Sequence, residues 1–562
     1  MAKKALKSAK TKAVGFAPIL KHFFDKSGIT EIIDQNVALD PRRKKLSHGQ
    51  ASVAMITAIL FQVSQLYKLC QFAYETTILD VILPGIASQE FFDDRLADTL
   101  DALFLHGIGD LEMLTTKNMI TQFDIDTPIC HNDTTSVSVF GDCNNNQTDK
   151  SVKITFGYSK KHRQDLKQFV WSLSVSSDSG FPLFQQAYSG NTADVDTYVE
   201  QWHNLIDLLG QKDFLYVADS KLVTYENMAH IHDNDGFFIA PAPMYESYKN
   251  AFLKAVCEHP HEVLLPYKDK FNRGFEAPMD IEYNDKHYPF RMIILFDHAV
   301  AARKRHSLEN RVEKTKTGFD ELNKKLNKYQ LKTEENIDKA CESILKKYQT
   351  AEFFQYRIQN DPITIYKNNK RGRPGKNTQK VVMTKDQFTV TVSFNQQAFQ
   401  EALYSCGYYP LITNKPADLL TIESAMMAHK NQYKCEHLNR RSKSGYNIEP
   451  IYLHTPERIE AFLFLFKIAL QLIIIIERAC RKGISERDKG LDNFMPNRKD
   501  VRNPRTENLL ASFQYVVSGE VVLPNGKSYG FVSDLTDLQE DILSLLQVPA
   551  KYFTYEYLFD TG

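Results

Sequence analysis

Three acidic residues stand where a catalytic site could be assembled. Asp133 lies in HNDTTSV, a stretch that alternates like a β-strand, where an acid is unfavourable unless it faces solvent or binds a cation. Asp219 ends the apolar run FLYVADS, and in open α/β sheets sites gather at the carboxyl ends of strands. Glu436 sits in the helical stretch HKNQYKCEHLNRRSK; Lys443 follows two turns later on nearly the same face, with Arg440 between them. Each acid alone has an ordinary explanation, since strand-end aspartates are mostly caps and helical glutamates mostly solvated. Their joint arrangement is more specific. Mg²⁺ takes oxygen ligands from one or a few carboxylates and keeps its other positions for water and phosphate. Two such ions about 4 Å apart can activate an attacking hydroxyl and stabilise a leaving oxygen at a phosphodiester. The implied chemistry is strand cleavage or strand transfer.

The elements that must position these acids follow from periodicity. Residues 14 to about 125 repeat at three and four and read as helices, as in SVAMITAILFQVSQLYKLCQFA. From residue 127 the period falls to two, and the order becomes strand, strand, strand, helix, strand, with a further strand in GFFIAPAP. This is an α/β sheet with a hairpin-built half and a crossover half. Residues 245–405 read as an insertion with a β-rich part, a charged helical hairpin and a basic loop. PLITNKP then reads as a strand, and 417–444 and 456–480 as two helices. The expected domains are therefore 1–125 (helical and basic), 126–244 and 406–482 (two parts of one core), 245–405 (insertion), and 483–562, a tail with a hairpin turning at Asn525 and Gly526.

Composition sets limits. With 562 residues, 43% hydrophobic and 25% charged, the chain is globular and long enough for several domains. Lys and Arg number 69, as do Asp and Glu, so polyanion binding must come from local clusters. One cluster is residues 1–48, with a net of seven positive charges, which suits either a DNA-contacting domain or a solvated basic end. Another is YKNNKRGRPGK, where Arg371, Gly372, Arg373 and Pro374 follow the order of an AT-hook core; a flexible basic loop is the alternative. The eight cysteines are scattered singly, as expected of a reduced, cytoplasmic protein. The basic N-terminus reads as a solvated tail, and IEAFLFLFKIALQLIIII, interrupted by Glu460, Lys467 and Gln471, as a buried core helix with no membrane role. His131, His162 and His454 share no metal-ligand spacing, and no G-x-x-x-x-G-K-[ST] or G-x-S-x-G occurs.

HNDTTSVSVFG, the hairpin segment ending in FPLFQQAYSGNTAD, FLYVADSKLVTYENM, and HKNQYKCEHLNRRSK with EPIYLHTPERIEAFLFL together resemble the DDE transposases of insertion sequences, of the insertion-sequence-four-like class. GITEIIDQNVALDPRRKKLSHGQA is similar to the helical domain that precedes the core in one branch of those enzymes. The resemblance runs from about residue 15 to 480. It implies a ribonuclease-H-like mixed sheet core with an N-terminal helical domain and a large α+β insertion before the last catalytic helix. It also implies that Asp133, Asp219 and Glu436 are catalytic and hold two Mg²⁺ ions, for which Mn²⁺ can substitute. The family signature Tyr-x-x-Arg-x-x-x-Glu-x(6)-Lys is met at Glu436 and Lys443, but His429 stands at the tyrosine and Gln432 at the arginine. Phosphate contact is then expected from Lys443, Arg440, His429, Lys430 and Lys434. The implied partners are double-stranded DNA, as element terminal inverted repeats and target, and a second copy of the chain in a homodimer on DNA. The implied location is the cytoplasm, with the nucleoid when DNA is bound. The competing expectations are a metal-dependent nuclease without strand transfer, and an inactive DNA-binding descendant.

Overall fold

The computed structural model describes residues 8–41, 45–63, 65–141, 143, 151–158, 163–259, 262–267, 270–368 and 380–559. The AT-hook-like Arg371 and Arg373 lie outside the described residues, as do Arg42, Arg43, Lys44 and His162. The chain divides into two compact units: Met1–Pro241 with Asp280–Pro289 and Thr413–Gly562, and Ala242–Met279 with Phe290–Ile412.

The first unit opens with strand β1 (Ser8–Ala13) and helices α1 (Ala17–Ser27), α2 (Ile29–Asn36), α3 (His48–Leu60), α4 (Lys68–Glu75), α5 (Ile78–Ile82), α6 (Asp93–His106) and α7 (Ile108–Phe123). Local chemistry places their ends. Ser47 and Gln50 form a reciprocal capping box at the start of α3, and Gly28 takes the left-handed conformation that ends α1.

The sheet follows as β2 (Ile129–Val139), β3 (Lys167–Ser176), β4 (Pro182–Ser189), α8 (Tyr198–Leu209), β5 (Leu215–Val217), α9 (Tyr225–Asp233) and β6 (Phe237–Pro241). Its strands lie in the order β4-β3-β2-β5-β6. The first three are antiparallel, with a tight turn at Gly180 (φ 76°) between β3 and β4, while β5 and β6 run parallel to β2. A parallel step needs a crossover, and α8 and α9 supply it. The mixed α/β sheet expected from the change of period is therefore present.

The second unit contains α10 (Glu246–Glu258), β7 (Val263–Tyr267), β8 (Lys270–Tyr283), β9 (Lys286–Phe296), α11 (His298–Lys325) and α12 (Glu334–Tyr348). It continues with β10 (Phe354–Asn360), β11 (Ile363–Asn368), β12 (Lys380–Lys385), β13 (Phe388–Phe394), α13 (Gln396–Ser405) and β14 (Tyr408–Thr413). Part of β8 and β9 belongs to the first unit. The charged pair α11 and α12 is a hairpin with a narrow apolar seam. Leu308, Val312, Phe319 and Leu322 recur at steps of four, seven and three, with buried Thr315 filling the gap, and pack with Ile337, Cys341 and Leu345 against Phe354, Phe388 and Val390.

The chain completes the first unit with α14 (Ile422–Lys430), α15 (Tyr433–Arg440), a π-turn at Arg441–Gly445, α16 (Pro456–Ser485), and the hairpin β15 (Val517–Val522) and β16 (Ser528–Val532). The single helix expected over 417–444 is broken at Asn431 and Gln432, because Gln432 turns its side chain to β2. The described part of the tail expected to be solvated is instead β1, paired antiparallel with β15; its lysines stay exposed, and Lys12 Nζ donates to Tyr74 O at 2.6 Å.

Helix α16 is long and apolar enough to cross a membrane, but most of that stretch is buried inside the unit. Two of its buried polar residues find partners there, although Gln471 Oε1 accepts no hydrogen bond. Lys467 pairs with Glu112 at 3.2 Å, and the Gln471 amide donates to Pro182 O at 2.8 Å and Thr116 Oγ1 at 3.2 Å. All eight cysteines are free.

Candidate active site

Strand register brings the first two acids together. In the parallel pair, Ile129 faces Leu215 and His131 faces Val217; Asp133 follows two residues beyond that pairing along β2, and Asp219 follows two residues beyond the end of β5. Alternation then sorts the side chains of β2. Asn132 points to one face, where its amide reaches Ser172 and Ser174 of β3 at 2.9 and 3.0 Å. His131, Asp133 and Thr135 point to the other, which α15 and its π-turn cover.

Contact between helix and strand runs in step. From Asn439 to Lys443 four helical residues rise about 6 Å, close to the roughly 6.7 Å spanned by two strand residues from Asp133 to Thr135, whereas Gln432 lies seven residues before Asn439. Gln432 spans His131 Nδ1 and Asn132 O, both at 2.9 Å. Asn439 Nδ2 donates to Asp133 Oδ2 at 2.9 Å. Lys443 Nζ reaches Thr135 Oγ1 and donates to Ser136 O at 2.9 Å. Glu436 is three residues before Asn439, one turn along that helix, and is exposed.

The aspartates are held by other donors as well. Asp133 Oδ1 accepts from Thr134 N at 2.9 Å. Asp219 caps a short 3₁₀ turn, accepting from Lys221 N at 2.9 Å, and its Oδ1 also accepts from the Tyr198 hydroxyl at 2.5 Å. Burial, and then the charge of Asp219, raise the Tyr198 phenol far above its ordinary range, so it remains a donor. Burial works against the charge of Lys221, but its bond and ion pair with Asp194, and the charges of Asp219 and Asp133, keep the amine above its usual value.

The donor types are those a hard cation takes, but the three carboxylates are not gathered into one metal-holding group. Carboxylate oxygens of Asp133, Asp219 and Glu436 come from adjacent elements, and Asn439 Oδ1 is buried with no hydrogen-bond partner beside Asp133. Among the described residues no three His, Cys, Asp or Glu side chains lie close enough together to hold a metal ion. Asp133 and Asp219 are engaged with Asn439 and Tyr198, while Glu436 is exposed.

The basic residues expected to touch phosphate divide into two groups. His429 is lowered to about 4 by burial and then by Lys430, so at neutral pH it is uncharged; Lys434 is also lowered by burial, and its amine donates to Ser177 O at 2.6 Å. Arg440 is exposed and lines a cavity of about 490 Å³ with Tyr433, Lys434, His437, Arg441, Arg481 and Arg505. Arg441 and Arg481 are paired with Glu477 at 3.2 and 2.8 Å. His437 is lowered by burial and then by Arg440 and Arg505, a sign of converging positive charge. Sequence reasoning did not find Tyr198, Arg481, Arg505 or the role of Asn439. Only Asn439 carried a usable signal, its place one turn after Glu436.

Two families match the chain. Residues 127–472 match the family described as Transposase DDE domain, and residues 9–114 match a domain of unknown function, DUF4277. No curated protein matches. Among solved structures, the chain is similar to a piggyBac transposase synaptic complex with hairpin DNA. The identity is 9% and the TM-score 0.34, over 98% of this chain and 86% of that one, a likeness too distant to bear on function.

Proposed function

Since this chain belongs to the transposase DDE-domain family, a family of DNA-cleaving and DNA-joining enzymes, we propose that it is the transposase of a bacterial or archaeal insertion sequence. It cuts the ends of its element and transfers the resulting 3′-hydroxyl strands to target DNA. The observation that carries this reading is the parallel pairing of β2 with β5, each followed two residues past the paired stretch by an aspartate, Asp133 and Asp219, with α15 bound across Asp133. The strand order β4-β3-β2-β5-β6 supports a ribonuclease-H-like core, interrupted after β6 by the second unit.

Asp133, Asp219 and Glu436 are the residues that would hold Mg²⁺ or Mn²⁺, with Asn439 Oδ1 as a further oxygen. When bound, a pair of such ions lowers the pKa of an attacking water or hydroxyl and stabilises the leaving oxygen. The protein does the rest. Asn439 fixes the Asp133 carboxylate, Tyr198 fixes Asp219, and Gln432 locks α15 to β2 where the family has an arginine. Arg440, in its basic cavity, and Lys443 grip phosphates near the cut, and a homodimer brings two element ends together.

The test is cleavage of DNA carrying both element ends, in Mg²⁺ and after chelation, by the parent chain and by Asp219→Asn and Glu436→Gln. Metal-dependent nicking at the ends, lost in both variants while DNA binding persists, supports the site; joined products separate a transposase from a nuclease. A second reading, a DNA-binding descendant without cleavage, is favoured by the uncharged His429 and the use of Gln432 as a brace. Bound ends that no metal can cut would establish it.

A further inference from the structure

The second unit carries a two-stranded ribbon that the catalytic reading leaves unused. β10 and β13 pair along Phe354–Asn360 and Phe388–Phe394 and set Phe354, Phe388 and Val390 into the apolar core beneath α11 and α12. The chain then passes Asp361 and Pro362 and pairs again as β11 and β12, from Ile363 opposite Lys385 to Asn368 opposite Lys380. No core receives this second pair. Every residue of the two strands is exposed except Ile365, which is half-buried.

What the ribbon leaves in water is unusual. Tyr366 and Val382 stand opposite each other on one face, 67% and 60% exposed; Ile363, Val381 and Met383 are exposed on the other. An isolated two-stranded hairpin is marginal in water, and exposed apolar side chains in a group mark a binding surface. The charge is equally one-sided. From Ile363 to Lys385 the sequence holds seven Lys and Arg and no Asp or Glu, in a chain whose totals balance at 69 each.

We propose that β11 and β12 form a DNA-reading arm that lies in a groove of the duplex. The inference rests on the transposase reading for its partner. Strands about 4.8 Å apart make a ribbon that fits a major groove about 12 Å wide, and six residues extend about 20 Å along it. The tyrosine and aliphatic side chains meet sugars and base edges while Lys367 and Lys380 meet the flanking phosphates. Self-association is disfavoured by charge, because a second copy would bring Lys367, Lys380 and Lys385 against the same three lysines of this surface.

The experiment uses the full chain with two double variants, Lys367→Gln with Lys380→Gln and Tyr366→Ser with Val382→Thr, each confirmed as folded by circular dichroism. Affinity for duplex carrying an element end is measured across a salt series. The lysine variant is expected to reduce the steepness of log K against log salt by about 1.8 and to weaken binding roughly thirtyfold near 0.15 M salt. The apolar variant is expected to weaken binding with the parental salt slope. Parental affinity and slope in both variants overturn the arm. So does loss of binding that tracks dissociation of the protein in sedimentation, which would assign the ribbon to a second copy. End cleavage by the parent chain distinguishes the failures: if it cuts and the variants bind normally, only the arm is wrong; if it neither binds nor cuts, the transposase reading falls as well.

Discussion

Replacing Asn439 by alanine tests whether this side chain positions Asp133. The amide donates to Asp133 Oδ2 at 2.9 Å, and the residue is only 7% exposed. A hydrogen bond to a charged group contributes about 1.5–3 kcal/mol, whereas a buried oxygen left without a partner, as Asn439 Oδ1 is, costs about 1–3 kcal/mol. Removing both terms at once leaves them largely offset, so folding stability should change by less than about 1 kcal/mol. The alignment of Asp133 has no such offset. If the bond's full value serves to orient the carboxylate, single-turnover cleavage should fall about 10- to 150-fold, at 1.36 kcal/mol per decade. Half-saturation by Mg²⁺ should move to higher concentration. The assay is a cleavage time course on end DNA over a Mg²⁺ series, with a thermal melt of the same preparation. Parental rates and parental Mg²⁺ dependence in a stable Asn439→Ala protein would refute the positioning role; a melt lowered by several degrees would show that the residue serves the fold instead.

Other expectations follow from the same geometry. Asp219→Asn and Glu436→Gln should abolish cleavage while leaving the affinity for end DNA within a fewfold of the parent, read by gel shift beside the cleavage gel. Lys467→Ala strands the buried Glu112 carboxylate and should cost about 3–5 kcal/mol in urea unfolding, while replacing both residues by apolar ones of similar size should recover most of that. Burial raises Glu460 to about 7, above its unfolded value near 4.3, so the folded state binds the proton more tightly and stability falls as pH rises between those values. Glu460→Gln should therefore raise the melting temperature at pH 8 and leave it nearly unchanged at pH 4, with both profiles measured in one buffer series.

Much of the core was legible because periodicity is a property of burial. The change from a three-and-four repeat to a two-residue repeat near 127 located β2 to β4, and the apolar run ending at Asp219 located β5. Sequence alone did not disclose that His131 pairs with Val217, two residues before Asp133 and Asp219 respectively, since register is a pairing between segments. Nor did it disclose the break at Asn431, where helix propensity is overridden by the bonds Gln432 makes with β2. The tail fared similarly. Nothing in SAKTKA alternates by hydrophobicity, and it becomes β1 through backbone pairing with a strand about 500 residues away. The charged hairpin was recognised as a hairpin, but its apolar seam is a narrow one in a helix otherwise dominated by charge.

The interruption of the core by the second unit also orders events in time. The stretch that carries both aspartates, with strands β2 to β6, has been made by Pro241, whereas Glu436 is added 195 residues later. At about 5–20 residues per second, translation takes roughly 10–40 s to cover that distance. For that interval a nascent chain presents the face of β2 bearing His131, Asp133 and Thr135 without the helix that covers it. A chain released early, anywhere between Pro241 and Glu436, would keep its basic N-terminal region but lack the last acid. Such a fragment would occupy element ends without cutting them, so a stop codon in this stretch is expected to give a dominant inhibitor rather than a simple loss.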